Sequence, residues 1–228
     1  MLKTLLAIET SGGACSAALI TPNHTYTRFE LTQKAHTQLL LPMVEALIKE
    51  ANIELKSLDA IAVGRGPGSF TGVRIAVSAA QGLAYGLNIP VYAISTLAAL
   101  SAQVDSSHHN ALIIPAIDAR MHEVYTCAFS GSQLLIPECL VKPQELLATV
   151  LTDQTTQDII AIGSGWDAYF EEITNNTTHN ITHVSDKQVR ALEVGLIAKK
   201  LMQNGISGVL AKDLLPVYIR DDVAQKQL

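Results

Sequence analysis

The stretch "DAIAVGRGPGSFTGVR", residues 59–74, joins an apolar run to a glycine-rich turn and the start of a helical pattern. Its first eight residues follow the pattern D-x-I-A-x-G-x-G, which returns as "DIIAIGSG" at residues 158–165. An apolar run that ends in glycines and continues with helical periodicity is typical of a strand that leads into a helix. The recurrence predicts that this strand–turn–helix unit occurs twice.

A second pair of similar stretches occurs in the same order. "LAIETSGGACSAAL" at 6–19 and "PAIDARMHEVYTCAF" at 115–129 both read as strand, turn, strand, with "AI" followed by an acid, Glu9 or Asp118. Two pairs of similar stretches that occur in the same order predict a duplicated α/β fold. We expect a first subdomain at 1–105, a less complete second one at 106–212, and a C-terminal segment, 213–228, that packs back on the first.

The composition narrows the class of protein. Of 228 residues, 48% are hydrophobic and 16% charged, the mean hydropathy is +0.25 and the net charge is −5. No apolar run reaches the roughly 18 residues of a membrane span. No basic run indicates RNA binding by the chain alone, so any such role would need a basic partner. Three cysteines without metal-type spacing (Cys15, Cys127, Cys139) predict reduced thiols and a cytoplasmic location.

The glycine-rich turn has two interpretations. It lacks the lysine of a phosphate-binding Walker A loop. It could still present an anion site at a helix N-terminus, capped by Ser69 or Thr71, or be a tight elbow that packs the helix on the sheet. The sequence favours the elbow. Residues of a residual anion or nucleotide site would be Glu9, Gly66, Gly68, Ser69 and Asp118.

Duplicated halves with an acid after the first strand resemble actin-like and sugar-kinase ATPases. Here Glu9 stands where those enzymes carry an aspartate. The facing hairpin has Ala119, Arg120 and Met121 in place of a glycine-rich phosphate turn. Such a cleft leaves less room for phosphate, so a stand-alone ATPase or small-molecule kinase using Glu9 and Asp118 is the alternative function.

The histidines do not indicate a metal site. Adjacent side chains such as His108 and His109 diverge, and zinc or iron needs three or four converging ligands. The other candidates lie in separate segments: His36, His122, His179 and His183. We therefore predict no metal ligands and no catalytic residues.

Two helices are predicted, at residues 36–51 with Thr32 as N-cap and at residues 73–86. Each carries more apolar surface than packing on one sheet requires. Either both are buried within the domain, or their outer faces pack on a partner in an intermolecular helix bundle. On the second interpretation, the partner interface comprises Leu39, Leu40, Met43, Leu47, Val73, Ala76, Ala79, Ala80 and Leu83.

Four stretches together resemble the TsaB family, also called YeaZ. They are "LAIETSGGACSAAL", "GRGPGSFTGVRIAVSAAQGLAYGLNIPVYAISTLAAL", "DAR…EVY" and "PVYIR". The similarity runs almost end to end and is weakest across 130–185. It implies a duplicated actin-like ATPase fold (ASKHA, RNase H-like) with two mixed sheets flanked by helices.

The resemblance also separates this chain from the catalytic paralogue TsaD. That family carries H-x-x-x-H after a similar glycine block, where this chain has Thr96 and Leu100. The resemblance therefore implies a non-catalytic scaffold and activator in the synthesis of tRNA N6-threonylcarbamoyladenosine. It implies pairing with TsaD through the first two helices, recruitment of TsaE, and tRNA contact through the complex. It further implies a homodimer when isolated, no membrane contact, and no cofactor of its own, with ATP bound only in the complex.

Overall fold

Two five-stranded sheets organise the computed structural model, which describes residues 3–32, 34–105, 111–151, 157–175 and 177–220. The first sheet has the order β3-β2-β1-β4-β5 and comprises β1 (Leu5–Glu9), β2 (Ala14–Ile20), β3 (Thr25–Leu31), β4 (Ala60–Gly64) and β5 (Val91–Ile94). The second has the order β10-β9-β6-β7-β8 and comprises β6 (Leu112–Arg120), β7 (Glu123–Ser130), β8 (Gln133–Val141), β9 (Ile159–Ile162) and β10 (Ile181–Val184).

The two sheets share one topology. In the first, β1 is antiparallel to β2 and parallel to β4; in the second, β6 is antiparallel to β7 and parallel to β9. The D-x-I-A pattern forms β4 and β9, the equivalent strands of the two sheets. The predicted duplicated actin-like fold is thereby confirmed.

Helices cover the sheets and separate them. They are α1 (His36–Glu50), α2 (Phe70–Leu87), α3 (Thr96–Ser101), α4 (Leu146–Val150), α5 (Ser164–Thr174) and α6 (Ala191–Gln203). α1 and α2 pack on one face of the first sheet, and α4 and α5 pack on the far face of the second. α3 and α6 lie between the sheets, in a core cluster that takes residues from both.

The division into subdomains at 105 and 106 stays a prediction. α6 belongs to the predicted second subdomain, yet it packs on β1, β2, β4 and β5 of the first sheet. The C-terminal segment returns to the first half, where Leu214 is fully buried beneath α2 and Gln81 Nε2 donates to its carbonyl (2.8 Å). After β10 the chain thus passes from the second half to the first.

The N-termini of α1 and α2 test the two predicted N-cap residues. Ser69 Oγ accepts the Gly72 N–H (3.3 Å), which caps α2 as predicted. The prediction of Thr32 as the cap of α1 is wrong. Its Oγ1 accepts the Ala35 N–H (3.1 Å) in a turn, and the helix begins afterwards at His36.

Candidate functional site

The glycine-rich turn and the β1–β2 turn are in direct backbone contact. Ser69 N–H donates to the Ser11 carbonyl (2.7 Å), and Thr10 Oγ1 donates to the Gly72 carbonyl (2.6 Å). A Cβ on Gly72 would lie 2.0 Å from Thr10 O, and one on Gly68 would lie 2.6 Å from Ser11 O. These glycines let the start of α2 approach the β1–β2 turn, as expected of a tight elbow.

Glu9 is enclosed beneath this elbow. Its carboxyl accepts the Ser11 N–H through Oε1, whereas Oε2 has no hydrogen-bond partner among the described residues. A Cβ on Gly64 would lie 1.5 Å from Oε2, so glycine is needed at that position. Complete burial raises the pKa of the Glu9 carboxyl to about 7, against the lowering effect of its hydrogen bonds with Ser11.

A cavity of about 480 Å³ lies between the two halves. Gly68, Ser69 and Asp118 line it, as three of the five residues predicted for a residual anion site. Glu9 and Gly66 do not line it, so the prediction is wrong for these two: Glu9 is enclosed beneath the elbow, and Gly66 lies against Val73 and Val217. Residues 217–220 of the C-terminal segment form part of the wall, which sequence patterns did not indicate.

The hairpin between β6 and β7 faces the same cavity with an unusual backbone. Arg120, Met121 and His122 have φ values of 63°, 54° and 60°, three consecutive left-handed residues without a glycine. Arg220 fixes this turn, donating to the carbonyls of Ala119 (3.2 Å) and Arg120 (3.4 Å) and to the Glu123 carboxylate (2.5 Å). The C-terminal segment therefore ties the second hairpin to the first half.

The histidines are dispersed where the structure describes them. His183 Nε2 pairs with Asp167 Oδ1 (3.0 Å), and His122 Nε2 pairs with Glu172 Oε1 (2.7 Å). Within the described ranges, no group of three or more histidine, cysteine or acidic side chains is placed to hold a metal ion. His108 and His109 lie outside the described residues.

Five of the nine predicted interface residues are buried on the inner faces of α1 and α2. They sit in the core between the helices and the first sheet, which corrects that part of the prediction: Leu40, Leu47, Val73, Ala76 and Ala80. Leu40 and Leu47 are seven residues apart on α1, and the three residues of α2 are three and four apart, which is the spacing of an inward stripe. Four are partly exposed and stay predicted contacts: Leu39, Met43, Ala79 and Leu83.

The outer surface holds an apolar groove between α1 and α2. Its wall includes Leu41, Phe70, Arg74, Ile75 and Ala79. Leu41 is 54% exposed, and the Arg74 guanidinium stacks on the Phe70 ring at 3.7 Å. The predicted interface did not include four of these groove residues, Leu41, Phe70, Arg74 and Ile75. The position of Leu41 beside the Leu40–Leu47 stripe was the available signal.

Arg74 also joins the groove to the C-terminal segment. Its Nε donates to Tyr218 Oη (2.7 Å), and the Tyr218 ring packs on Phe70 with centroids 5.4 Å apart. In the described part of the chain, no helix is both long and apolar enough to cross a bilayer. An exposed apolar groove is typical of a surface that contacts another molecule.

Comparison with known proteins agrees with this architecture. The family model described as TsaD, tRNA N6-adenosine threonylcarbamoyltransferase, matches residues 23–228. The Haemophilus influenzae tRNA threonylcarbamoyladenosine biosynthesis protein TsaB is 33% identical, with 99% of this chain and 97% of that protein covered. The Escherichia coli protein of the same name is 34% identical, covering 98% and 97%. The structure of YeaZ from Pseudomonas aeruginosa is 36% identical, covers 95% and 99%, and gives a TM-score of 0.84.

The class of protein follows from the fold: the sheet topology is repeated, and a cleft separates the two halves. The chain is a duplicated actin-like protein, and it matches the family model described as TsaD. Within that group, the near full-length relatives are TsaB proteins. The chain belongs to the TsaB, or YeaZ, family.

Proposed function

We propose that this chain is a scaffold and activator subunit in the synthesis of N6-threonylcarbamoyladenosine in tRNA. The relatives' name, tRNA threonylcarbamoyladenosine biosynthesis protein TsaB, supports this pathway. We further propose that the chain pairs with TsaD and recruits TsaE, and that it forms homodimers when isolated. The observation that carries the pairing is the exposed apolar groove between α1 and α2.

A non-catalytic role is consistent with two residues of α3. Thr96 and Leu100 stand where TsaD carries metal-binding histidines, and both are buried. Thr96 Oγ1 donates to the Pro67 carbonyl, so its side chain holds the elbow loop. A net charge of −5 gives no attraction for tRNA, so the proposal leaves tRNA contact to the complex, in the cytoplasm. ATP would bind only within that complex.

The groove would act by shape and desolvation. Leu41, Phe70 and Ile75 offer apolar surface that a partner helix can cover. Arg74 is held over Phe70, so its charge can remain hydrated at the rim while its flat face covers the ring. A charge placed in the middle of this surface would have to be desolvated on pairing.

The test is pairing with TsaD from the same organism, measured by calorimetry and co-elution. Leu41→Asp and Ala79→Arg should each weaken pairing by about tenfold or more, because they bury an unpaired charge. Leu134→Asp is the matched control, since Leu134 is 47% exposed on β8, in the other half. Equal affinities for the two aspartate variants would show that the groove is not the contact surface.

The function is tested separately by depleting the chain in its source organism. Loss of N6-threonylcarbamoyladenosine from tRNA, measured by mass spectrometry, would support the proposed pathway. Unchanged tRNA would contradict it whatever the pairing result. The purified chain should show no transfer activity without its partner.

The alternative, a stand-alone ATPase or small-molecule kinase, finds less support. It needs Glu9 and Asp118 to face each other across the cleft, yet Glu9 is enclosed beneath the elbow. Calorimetry with Mg-ATP decides between the two. Micromolar binding by the isolated chain, abolished by Glu9→Ala, would favour the kinase.

A further inference from the structure

The strand β3 is an open edge of the first sheet. It stands at the end of the strand order and, among the described residues, pairs only with β2. Its seven residues keep one register along β2 and include neither proline nor glycine. A long, regular edge presents a row of unpaired N–H and C=O groups on which another strand can pair.

The other edges of the two described sheets are each protected. Val209 bridges to Val91, which covers the edge formed by β5. The edge strand β8 has two shifts of register against β7 and carries Pro137. The edge strand β10 has only four residues. Covered, bulged or short edges resist pairing, and β3 has none of these features.

One hydrogen bond fixes which backbone groups of β3 lie at the open edge. The Thr32 N–H, just after β3, donates to the Gly13 carbonyl just before β2 (3.0 Å). Backbone groups of successive residues in a strand point to alternate sides, so the even-numbered residues of β3 face β2. The N–H and C=O groups of Thr27, Phe29 and Leu31 therefore point outward from the sheet.

The side chains at this edge are complementary to a second copy of themselves. Phe29 and Leu31 share one face of the strand and are 45% and 68% exposed. Arg28 and Glu30 lie on the opposite face, where Arg28 pairs with Glu50 of α1. In an antiparallel pair of β3 strands centred on Phe29, Arg28 of each chain faces Glu30 of the other. Opposite charges and aromatic rings directly across a pair of strands stabilise it.

From this geometry we propose that β3 pairs in antiparallel fashion with β3 of a second copy of this chain, which joins their first sheets into one. Phe29 exchanges both backbone bonds with Phe29 of the second copy, and Thr27 does so with Leu31. Arg28 Nη1, which donates to the Thr27 carbonyl (2.9 Å), then releases it and turns to Glu30 of the second copy. This inference rests on the proposed homodimer and uses none of the residues of the α1–α2 groove.

The experiment measures the oligomeric state of the isolated full-length chain by analytical ultracentrifugation over a range of concentrations. Phe29→Lys places two like charges opposite each other at the centre and should raise the dissociation constant of the dimer by about tenfold or more. Thr27→Pro removes an outward N–H, leaves the bonds to β2 in place and should act likewise. Thr25→Pro is the matched control and should dimerise like the wild type, because Thr25 lies outside the three bonded pairs.

Charge exchange tests the register. Glu30→Arg alone sets two cations across from each other in both charged pairs, and should weaken the dimer. Combining it with Arg28→Glu restores opposite charges and should recover the dimer. General damage to β3 would not be repaired by a second substitution in the same strand. Circular dichroism establishes that each variant is folded, and where Phe29→Lys fails to fold, Thr27→Pro takes its place.

Two results would overturn the proposal. One is a chain that stays monomeric at about 100 μM, where a dimer of micromolar affinity would predominate. The other is a dimer that persists in Phe29→Lys and Thr27→Pro, or that is lost in Leu41→Asp instead, which would place self-association in the groove. Because TsaD is absent from these measurements, their outcome is independent of pairing with TsaD.

Discussion

The first hairpin of each sheet occupies the same place in the repeated topology, but the two are held in different ways. The β1–β2 turn is glycine-rich, and the Ser11 carbonyl accepts a backbone bond from Ser69 at the start of α2. The β6–β7 turn has no glycine, and Arg220 from the distant C-terminal segment fixes it. The corresponding link to α5 is a side-chain bond, from the Asp118 N–H to Ser164 Oγ (3.1 Å). The first half therefore depends on close backbone contact and the second on side chains.

The largest expected effect breaks the backbone contact of the first half. Gly72→Ala would place a Cβ 2.0 Å from Thr10 O, so α2 must shift away from the turn. We expect the free energy of unfolding to fall by about 3 kcal/mol or more, as for overpacked sites. Urea unfolding followed by circular dichroism measures it.

Gly82→Ala is the control on the same helix. A Cβ there meets nothing within 4 Å, so alanine should stabilise α2 by about 0.5–1 kcal/mol. If both variants changed stability in the same direction, close approach of α2 to the β1–β2 turn would not govern the first half.

The second prediction concerns the acids near the ends of β1 and β6, Glu9 and Asp118. The folded state holds the pKa of Glu9 at about 7, above the unfolded value of 4.5, so the unfolded chain loses its proton first as pH rises. The free energy of unfolding should therefore fall between pH 4.5 and 7, by up to about 3 kcal/mol, and then change no further through this group.

Glu9→Gln should remove that pH dependence, because glutamine does not titrate. Asp118→Asn is the comparison from the second half; it leaves Glu9 in place and should keep the fall in stability. Denaturant titrations at a series of pH values measure both. A Glu9→Gln protein that still loses stability between pH 4.5 and 7 would contradict the assignment of that loss to Glu9.

The two hairpins also differ in how far their contacts can be predicted from the sequence. Local signals were sufficient for the duplicated strands, for Ser69 as a cap and for the elbow, because each depends on neighbours in the chain. The inward faces of α1 and α2 were not predicted: their apolar residues surround each helix, so periodicity does not select a side. The C-terminal contacts were also missed, since Arg220 and Glu123 are 97 residues apart. Gly68 and Asp118 line the cleft and stay predicted residues of an anion site, whereas the depth of Glu9 depends on packing between layers.

The smallest expected effect tests whether the second hairpin is strained. Met121 has φ 54°, a region that favours glycine, and its side chain is 72% exposed with one polar contact, from Arg220 Nη1 to Sδ (2.9 Å). Met121→Gly should therefore be more stable than Met121→Ala by about 1 kcal/mol, since both remove the side chain but glycine alone relieves the backbone. Thermal unfolding of the two variants measures the difference. An alanine variant as stable as the glycine variant would mean that the bonds from Arg220 impose no strain at this position, and that the two hairpins differ in sequence but not in backbone cost.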